Sequence, residues 1–232
     1  MILPFPSSAI ETNDGHFLKM HSFQMGFGKA DAHLQKMKER FSTFNFFGVK
    51  QTHSDTVIVH SPHDTSDAFT GDALITRQAN TAIYIKTADC TPILCFDSAT
   101  GGLAAIHAGW RGVANQITKK TLLKMINEFD SQPENLHVFI GPHIQFASFE
   151  VEEDVMLKLI ASVRGPTSSF VKAKDKKFLV DLQGLVGQQL HELGIEKIWS
   201  LNKDTLTDLN YHSYRRDKTS GRLISFIAKT ER

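Results

Sequence analysis

Three short apolar runs in the middle of the chain constrain the fold more than any other feature: Thr-Ala-Ile-Tyr-Ile-Lys at 81–86, Pro-Ile-Leu-Cys-Phe at 92–96 and Leu-Ala-Ala-Ile-His at 103–107. Each is bounded by Asp, Pro or Gly-Gly and is too short for a stable helix, so each reads as a strand. Side chains of a strand alternate between its two faces, and apolar residues at successive positions require cover on both. The runs therefore predict neighbouring strands of one buried sheet.

The flanking segments alternate in period. Helical spacing marks 32–41, whereas 56–60 and 73–76 are β-branched or apolar enough for strands. After Gly112 the period lengthens, and Ile117, Leu122, Leu123, Met125 and Ile126 supply an apolar helical face until Asp130 and Pro133 stop it. A strand at 136–140 follows, then helices at about 152–163 and 180–193, separated by a loop with Gly165, Pro166 and Ser168. Gly194 is placed to cap the second helix, and strands at 195–200 and 223–228 close the chain. Without a regular βαβ rhythm the class is α+β or layered α/β. No repeat, low-complexity tract or linker divides it, so one domain spanning 1–232 is expected, long enough for a continuous core.

Lys plus Arg (26) nearly cancels Asp plus Glu (25), so no overall positive field would draw in nucleic acid or an anionic membrane. The cluster Lys172, Lys174, Lys176 and Lys177, interrupted by Asp175, reads as a solvated face. No stretch approaches the roughly 20 apolar residues of a membrane span, and the opening Met-Ile-Leu-Pro-Phe-Pro has no leader pattern. Cys90 and Cys95 are too few for a disulfide scaffold, which favours free thiols and a cytoplasmic location.

Three residues stand where loops leave strands, the places a rigid sheet can hold a reactive group. His53 lies in Lys50-Gln-Thr-His-Ser-Asp55 and Cys90 in Thr87-Ala-Asp-Cys-Thr-Pro92, with Asp89 beside the thiol. His107 ends an apolar strand before Ala-Gly-Trp-Arg-Gly112. Each has a plainer reading: an exposed loop histidine, a small buried hydrophobe, a tight turn made by Gly109 and Gly112 with Trp110 on the core. Together, two histidines and a thiolate suit zinc, or alternatively copper, with a fourth position open for catalysis. The turn after His107, with Arg111, offers an anion site at a helix N-terminus. Cys95, inside Ile-Leu-Cys-Phe, fits the core. His143 is expected on the rim of such a site, and Arg215 and Arg216, if extended, would point to opposite sides. His16, His21, His33, His60, His63, His137 and His191 have no partner motif.

Gln51-Thr-His53, Thr87-Ala-Asp-Cys-Thr-Pro-Ile-Leu94, Ala105-Ile-His-Ala-Gly-Trp-Arg-Gly112, Ile140-Gly-Pro142 and Ser213-Tyr-Arg-Arg-Asp217 with Thr219-Ser-Gly-Arg222 together resemble the laccase-domain family, also called polyphenol-oxidase-like or peptidoglycan-editing factor. The resemblance runs in order from about residue 45 onward. It implies an α/β/β/α sandwich with mixed sheets and a metal held by His53, Cys90 and His107. It also implies phosphorolysis of adenosine, inosine, guanosine or methylthioadenosine, with adenosine deamination. On that reading His53, Cys90, His107 and Asp89 are catalytic, Asp89 as proton shuttle or partner of the ligands, and Arg111, Arg215 and Gln51 bind nucleoside and phosphate. A monomer or weak homo-oligomer is expected. Copper-dependent phenol oxidation, editing of peptidoglycan precursors and non-catalytic metal binding are the alternatives. The chain departs from the family pattern at Ser54, at Ala147 and Ser148, near Lys203 and Asp204, and around Gly26 to Asp31.

Overall fold

The central runs do form strands, but they divide between two sheets. The computed structural model describes residues 1–231. In chain order its strands are β1 (Leu3–Pro4), β2 (Ile10–Thr12), β3 (Gly15–Met20), β4 (Phe23–Gly28), β5 (Asn45–Phe47), β6 (Val57–Val59), β7 (Ala73–Thr76) and β8 (Thr81–Thr87). They continue with β9 (Thr91–Asp97), β10 (Leu103–Ala108), β11 (Leu136–Ile140), β12 (Glu150–Val151), β13 (Val171–Lys174), β14 (Lys177–Val180), β15 (Ile198–Ser200) and β16 (Leu223–Lys229). The helices are α1 (Leu34–Arg40), α2 (Trp110–Ala114), α3 (Ile117–Phe129), α4 (Glu153–Ile160), α5 (Leu182–His191) and α6 (Tyr214–Asp217).

A seven-stranded mixed sheet runs β1-β15-β11-β9-β10-β7-β6, and a six-stranded one runs β2-β3-β4-β16-β8-β5. In β9, Ile93 and Cys95 join the core shared with α3, α4 and α5, whereas Leu94 and Phe96 join the core between the sheets. Phe96 stacks there on Phe23 of the second sheet at 4.2 Å. The far face of the second sheet packs Tyr84 and Phe226 against Met37 of α1. The layers are thus α/β/β/α, as the resemblance implies, and two-sided cover explains why the central runs carry no polar alternation.

Strand β8 is the correction. It pairs with β16 and β5 in the second sheet, while β9 and β10 pair in the first. A continuous apolar run specifies burial on both faces but not which strand lies alongside, so the sequence could not assign β8 its sheet. The helix after Gly112 begins as two pieces, α2 and α3, broken at Gln116 (φ +59°). Its buried stripe is Ile117, Thr118, Thr121, Leu122, Met125 and Phe129, and Leu123 is 39% exposed because it lies one residue, or about 100°, off that stripe.

The loop expected between the two later helices contains a hairpin, β13 to β14, that joins β12 in a three-stranded sheet. Its lysines hid it. Lys174 reaches Glu150 at 3.0 Å and Lys177 reaches Glu152 at 3.0 Å, so half of the basic cluster is neutralised by β12 and its neighbour. Gly194 (φ +77°) ends α5, as its position suggested. Among the described residues no helix is long and apolar enough to cross a membrane.

Candidate metal centre

Strand ends of the first sheet converge on one carboxylate. Asp72, immediately before β7, is wholly buried and accepts five hydrogen bonds: backbone N–H of Thr52 (3.2 Å), His53 (3.0 Å) and Ser54 (2.6 Å), the Ser54 hydroxyl (2.6 Å) and His107 Nδ1 (2.7 Å). Burial pushes its pKa up, but these donors outweigh it and hold the carboxyl down to about 2. The loop carrying His53, in left-handed conformation (φ +59°), is therefore wrapped around Asp72. The same carboxylate fixes the proton of His107 on Nδ1 and leaves Nε2 as its ligand atom. Ser54, a departure from the family pattern, contributes to this cradle.

Cys90 stands in the turn between β8 and β9, with its Sγ 3.8 Å from His53 Nε2. The candidate ligand atoms of His53, Cys90 and His107 lie within 4.8 Å of one another. Burial pushes the Cys90 thiol up, yet hydrogen bonds from His107 and His53 prevail and bring it to about 6. Burial likewise opposes charge on His107, but Asp72 and Cys90 raise it to about 9. The pocket thus favours a thiolate beside positive charge. A Cβ on Gly109 would stand 3.1 Å from Cys90 Sγ and 3.1 Å from His53 Cδ2, so this glycine serves close approach and not turn geometry. A soft donor, two borderline donors, an orienting carboxylate and a gap that a methyl group would fill are together suited to zinc or copper. Exposure falls from His53 through Cys90 to buried His107, so the group opens on one side.

It opens into a cavity of about 800 Å³. Its lining includes the aromatic residues Trp110, Phe149 and Tyr214 and the cationic residues Lys50, Lys86, Arg215 and Arg222. None of these four cations forms an ion pair with a carboxylate among the described residues.

The other residues singled out in the sequence fare differently. Asp89 lines the cavity, but both its oxygens accept from the protein, Oδ1 from the Thr205 hydroxyl at 2.7 Å and Oδ2 from Arg215 N–H at 2.6 Å. Gln51 also lines it, while its carboxamide is spent bridging Lys86 N–H and C=O, both at 2.8 Å. Arg215 reaches the cavity and donates from Nη1 to the Glu150 carbonyl at 3.1 Å. Arg111 does not belong to the cavity lining: its guanidinium lies over the Trp110 ring at 4.3 Å, and α2 is only five residues long. His143 is not on the rim but buried, bonded through Nδ1 to the Gly141 carbonyl at 2.8 Å. Arg216 belongs to helix α6, not an extended segment, and its guanidinium donates to the carbonyls of Thr205, Leu206 and Tyr211. Cys95 is buried in the core, and burial pushes its thiol far up. Departures at Ser148 and Asp204 meet each other in a side-chain hydrogen bond.

Sequence reasoning missed Asp72, whose only local signal is its place before a short strand. It also missed the wall residues Lys86, Phe149, Tyr214 and Arg222 as parts of one cavity.

An open His-Cys-His group at the ends of sheet strands, in a layered α/β/β/α fold, is a group that could hold a metal ion. Residues 19–230 match the family described as multi-copper polyphenol oxidoreductase laccase, and the chain belongs to that family. It is 34% identical over 211 residues to a purine nucleoside phosphorylase of Clostridium acetobutylicum, covering 90% of this chain and 87% of that one. It is 36% identical over 157 residues to purine nucleoside phosphorylase YfiH of Escherichia coli, covering 67% of this chain and 63% of that protein. Among solved structures it resembles the hypothetical protein YfiH of Bacillus licheniformis, with TM-score 0.88, 20% identity and coverage of 97% of this chain and 100% of that one. YlmD of Geobacillus stearothermophilus gives TM-score 0.87 at 20% identity, with the same coverage.

Proposed function

We propose that this chain is a metal-dependent purine nucleoside phosphorylase, with adenosine deamination as a second activity of the same centre. The observation that carries the reading is a metal-capable group opening into a cavity lined by aromatic residues and by cations that form no ion pair with a carboxylate among the described residues. The names of the curated relatives support it.

A zinc or copper ion bound by His53, Cys90 and His107 would supply Lewis-acid polarisation at the open side of the group. Asp72 holds both histidines in place, so little reorganisation is needed when substrate arrives. In phosphorolysis a phosphate oxygen forms a bond to C1′ of the sugar, the N9–C1′ bond breaks, and the purine leaves carrying its electron pair and a proton. Arg215, with Lys50, Lys86 and Arg222, would hold the phosphate as charge is redistributed. Trp110, Phe149 and Tyr214 provide apolar surface for the base. Deamination uses the same cavity with water in place of phosphate, exchanging the 6-amino group for oxygen and releasing ammonia.

The test is to determine metal content, then incubate the protein with adenosine with and without phosphate and separate the products. Adenine plus ribose 1-phosphate is the expected outcome with phosphate, and inosine reports deamination. No product in either arm from protein with stoichiometric metal would sink the nucleoside reading.

The family description favours a second reading, phenol oxidation. Laccase chemistry delivers four electrons to oxygen and draws on several coppers, whereas the described residues contain one group with ligand spacing. Copper stoichiometry with oxygen uptake on a phenol separates the two.

A further inference from the structure

Asp89 precedes Cys90 with φ +80°, a region that non-glycine residues rarely adopt. Three segments hold it there. Its carbonyl accepts Ile144 N–H at 3.0 Å, Oδ1 accepts the hydroxyl of fully buried Thr205, and Oδ2 accepts the backbone N–H of Arg215. Both carboxylate oxygens are engaged by protein donors, which fixes the side chain in one orientation.

Helix α6 has four residues and cannot persist on its own hydrogen bonds. Its place is set by the Ser213 cap on Arg216 N–H, by the Arg216 guanidinium on three carbonyls, and by Asp89 on Arg215 N–H. That helix presents Tyr214 and Arg215 to the cavity. Asp89 therefore touches both the loop bearing Cys90 and the wall facing it.

We infer that Asp89 is a positioning residue that registers the Cys90 thiolate against the Arg215–Tyr214 wall, so that metal retention and anion binding are linked through it. The inference rests on reading the cavity as a phosphorolytic site. The linkage follows because a single carboxylate restrains both sides, and loosening either changes what the other can hold.

The experiment compares Asp89→Asn with Asp89→Ala in metal-loaded protein. Asparagine can keep both contacts: its carbonyl accepts Arg215 N–H, and its amide donates to a Thr205 hydroxyl that rotates to accept. Alanine loses both. Asp89→Ala is expected to raise KM for phosphate about tenfold or more with a smaller fall in kcat, the loss of a hydrogen bond to a charged group. It should also release metal faster to a chelator and alter the cobalt–thiolate absorption of cobalt(II)-substituted protein. Asp89→Asn should restore KM, metal retention and spectrum to near the parent values.

If Asn is as impaired as Ala, the carboxylate acts by its charge or proton and the inference is overturned. It is equally overturned if Ala leaves KM and metal retention unchanged. Should Asp89→Ala fail to fold, Thr205→Val removes one of the two contacts and must shift the same readings part of the way. Calorimetry with inorganic phosphate keeps the two claims separate. If the parent protein does not bind phosphate, the functional reading fails, while the cobalt spectra of the two variants still decide the positioning role.

Discussion

The two sides of the cavity are built on opposite principles. On the metal side, His53 and His107 are tied to one buried carboxylate at the ends of sheet strands, with five donors converging on Asp72. On the facing side, Tyr214 and Arg215 ride on a four-residue helix and are exposed, Tyr214 by 52%. Pre-organisation is concentrated where a ligand set must be held to a fraction of an ångström, and the side that meets the variable part of a substrate is left to tethers. The difference teaches that metal affinity and substrate affinity should respond to different residues, except at Asp89, which stands beside Cys90 and bonds to the facing helix.

The largest effect should come from Asp72→Ala, which leaves several buried donors unpaired and frees both histidines. We expect a loss of about 3 kcal/mol or more in stability and of 10- to 100-fold in metal affinity. Urea unfolding and chelator competition measure these, and unchanged metal affinity would break the comparison. Next, Arg215→Ala should raise KM for phosphate by about tenfold through a lost charge-assisted contact. Bound metal, read by elemental analysis, should stay at the parent level, because the backbone N–H that Asp89 accepts is kept; a parallel loss would mean that the guanidinium itself supports the metal side.

A third variant alters the fold while sparing both sides. His137 is stacked between Phe96 at 4.5 Å and Trp199 at 5.7 Å, and its Nδ1 is buried without a hydrogen-bond partner among the described residues. Burial, with Lys197 adding to it, pushes its pKa down from 6.5 to about 4. The unfolded chain therefore takes up this proton first, and the stability tied to neutral His137 is complete above 6.5 and is lost as pH falls toward 4. His137→Phe should remove that loss, gaining on the order of 1 kcal/mol over the parent at pH near 5, after allowance for partial exposure, with a smaller difference at pH 8. Denaturant midpoints at the two pH values test this, and an equal difference at both would refute it. The smallest effect is expected from Arg111→Ala, since Arg111 lies over Trp110 outside the cavity lining. Steady-state kinetics should stay within about twofold, as for a surface substitution.

The same contrast describes how far the sequence could be read. Cys90 and His107 were legible because each sits in a long flanking motif, and His53 through its shorter one, although none is convincing alone and their spacing matches no local metal pattern. Asp72 was not legible, since an acidic residue before a strand is ordinary until the chain folds five donors around it. Arg111 looked suitable because it follows a glycine turn, yet its guanidinium stacks on the neighbouring ring and Arg215 reaches the cavity instead.

By itself the sequence determined strands β6 to β11, β15 and β16 and the four longer helices, because side-chain period reports local geometry and burial directly, whereas β1 to β5, which include most of the second sheet, carried no period clear enough to read. It also determined the chemical types available to a metal. Only the tertiary structure decided which sheet received β8, that the hairpin β13 to β14 forms beneath its lysines, and which donors meet Asp72 and Asp89. Those outcomes depend on contacts between residues distant in the chain, and local period carries no information about which distant donor will meet which acceptor.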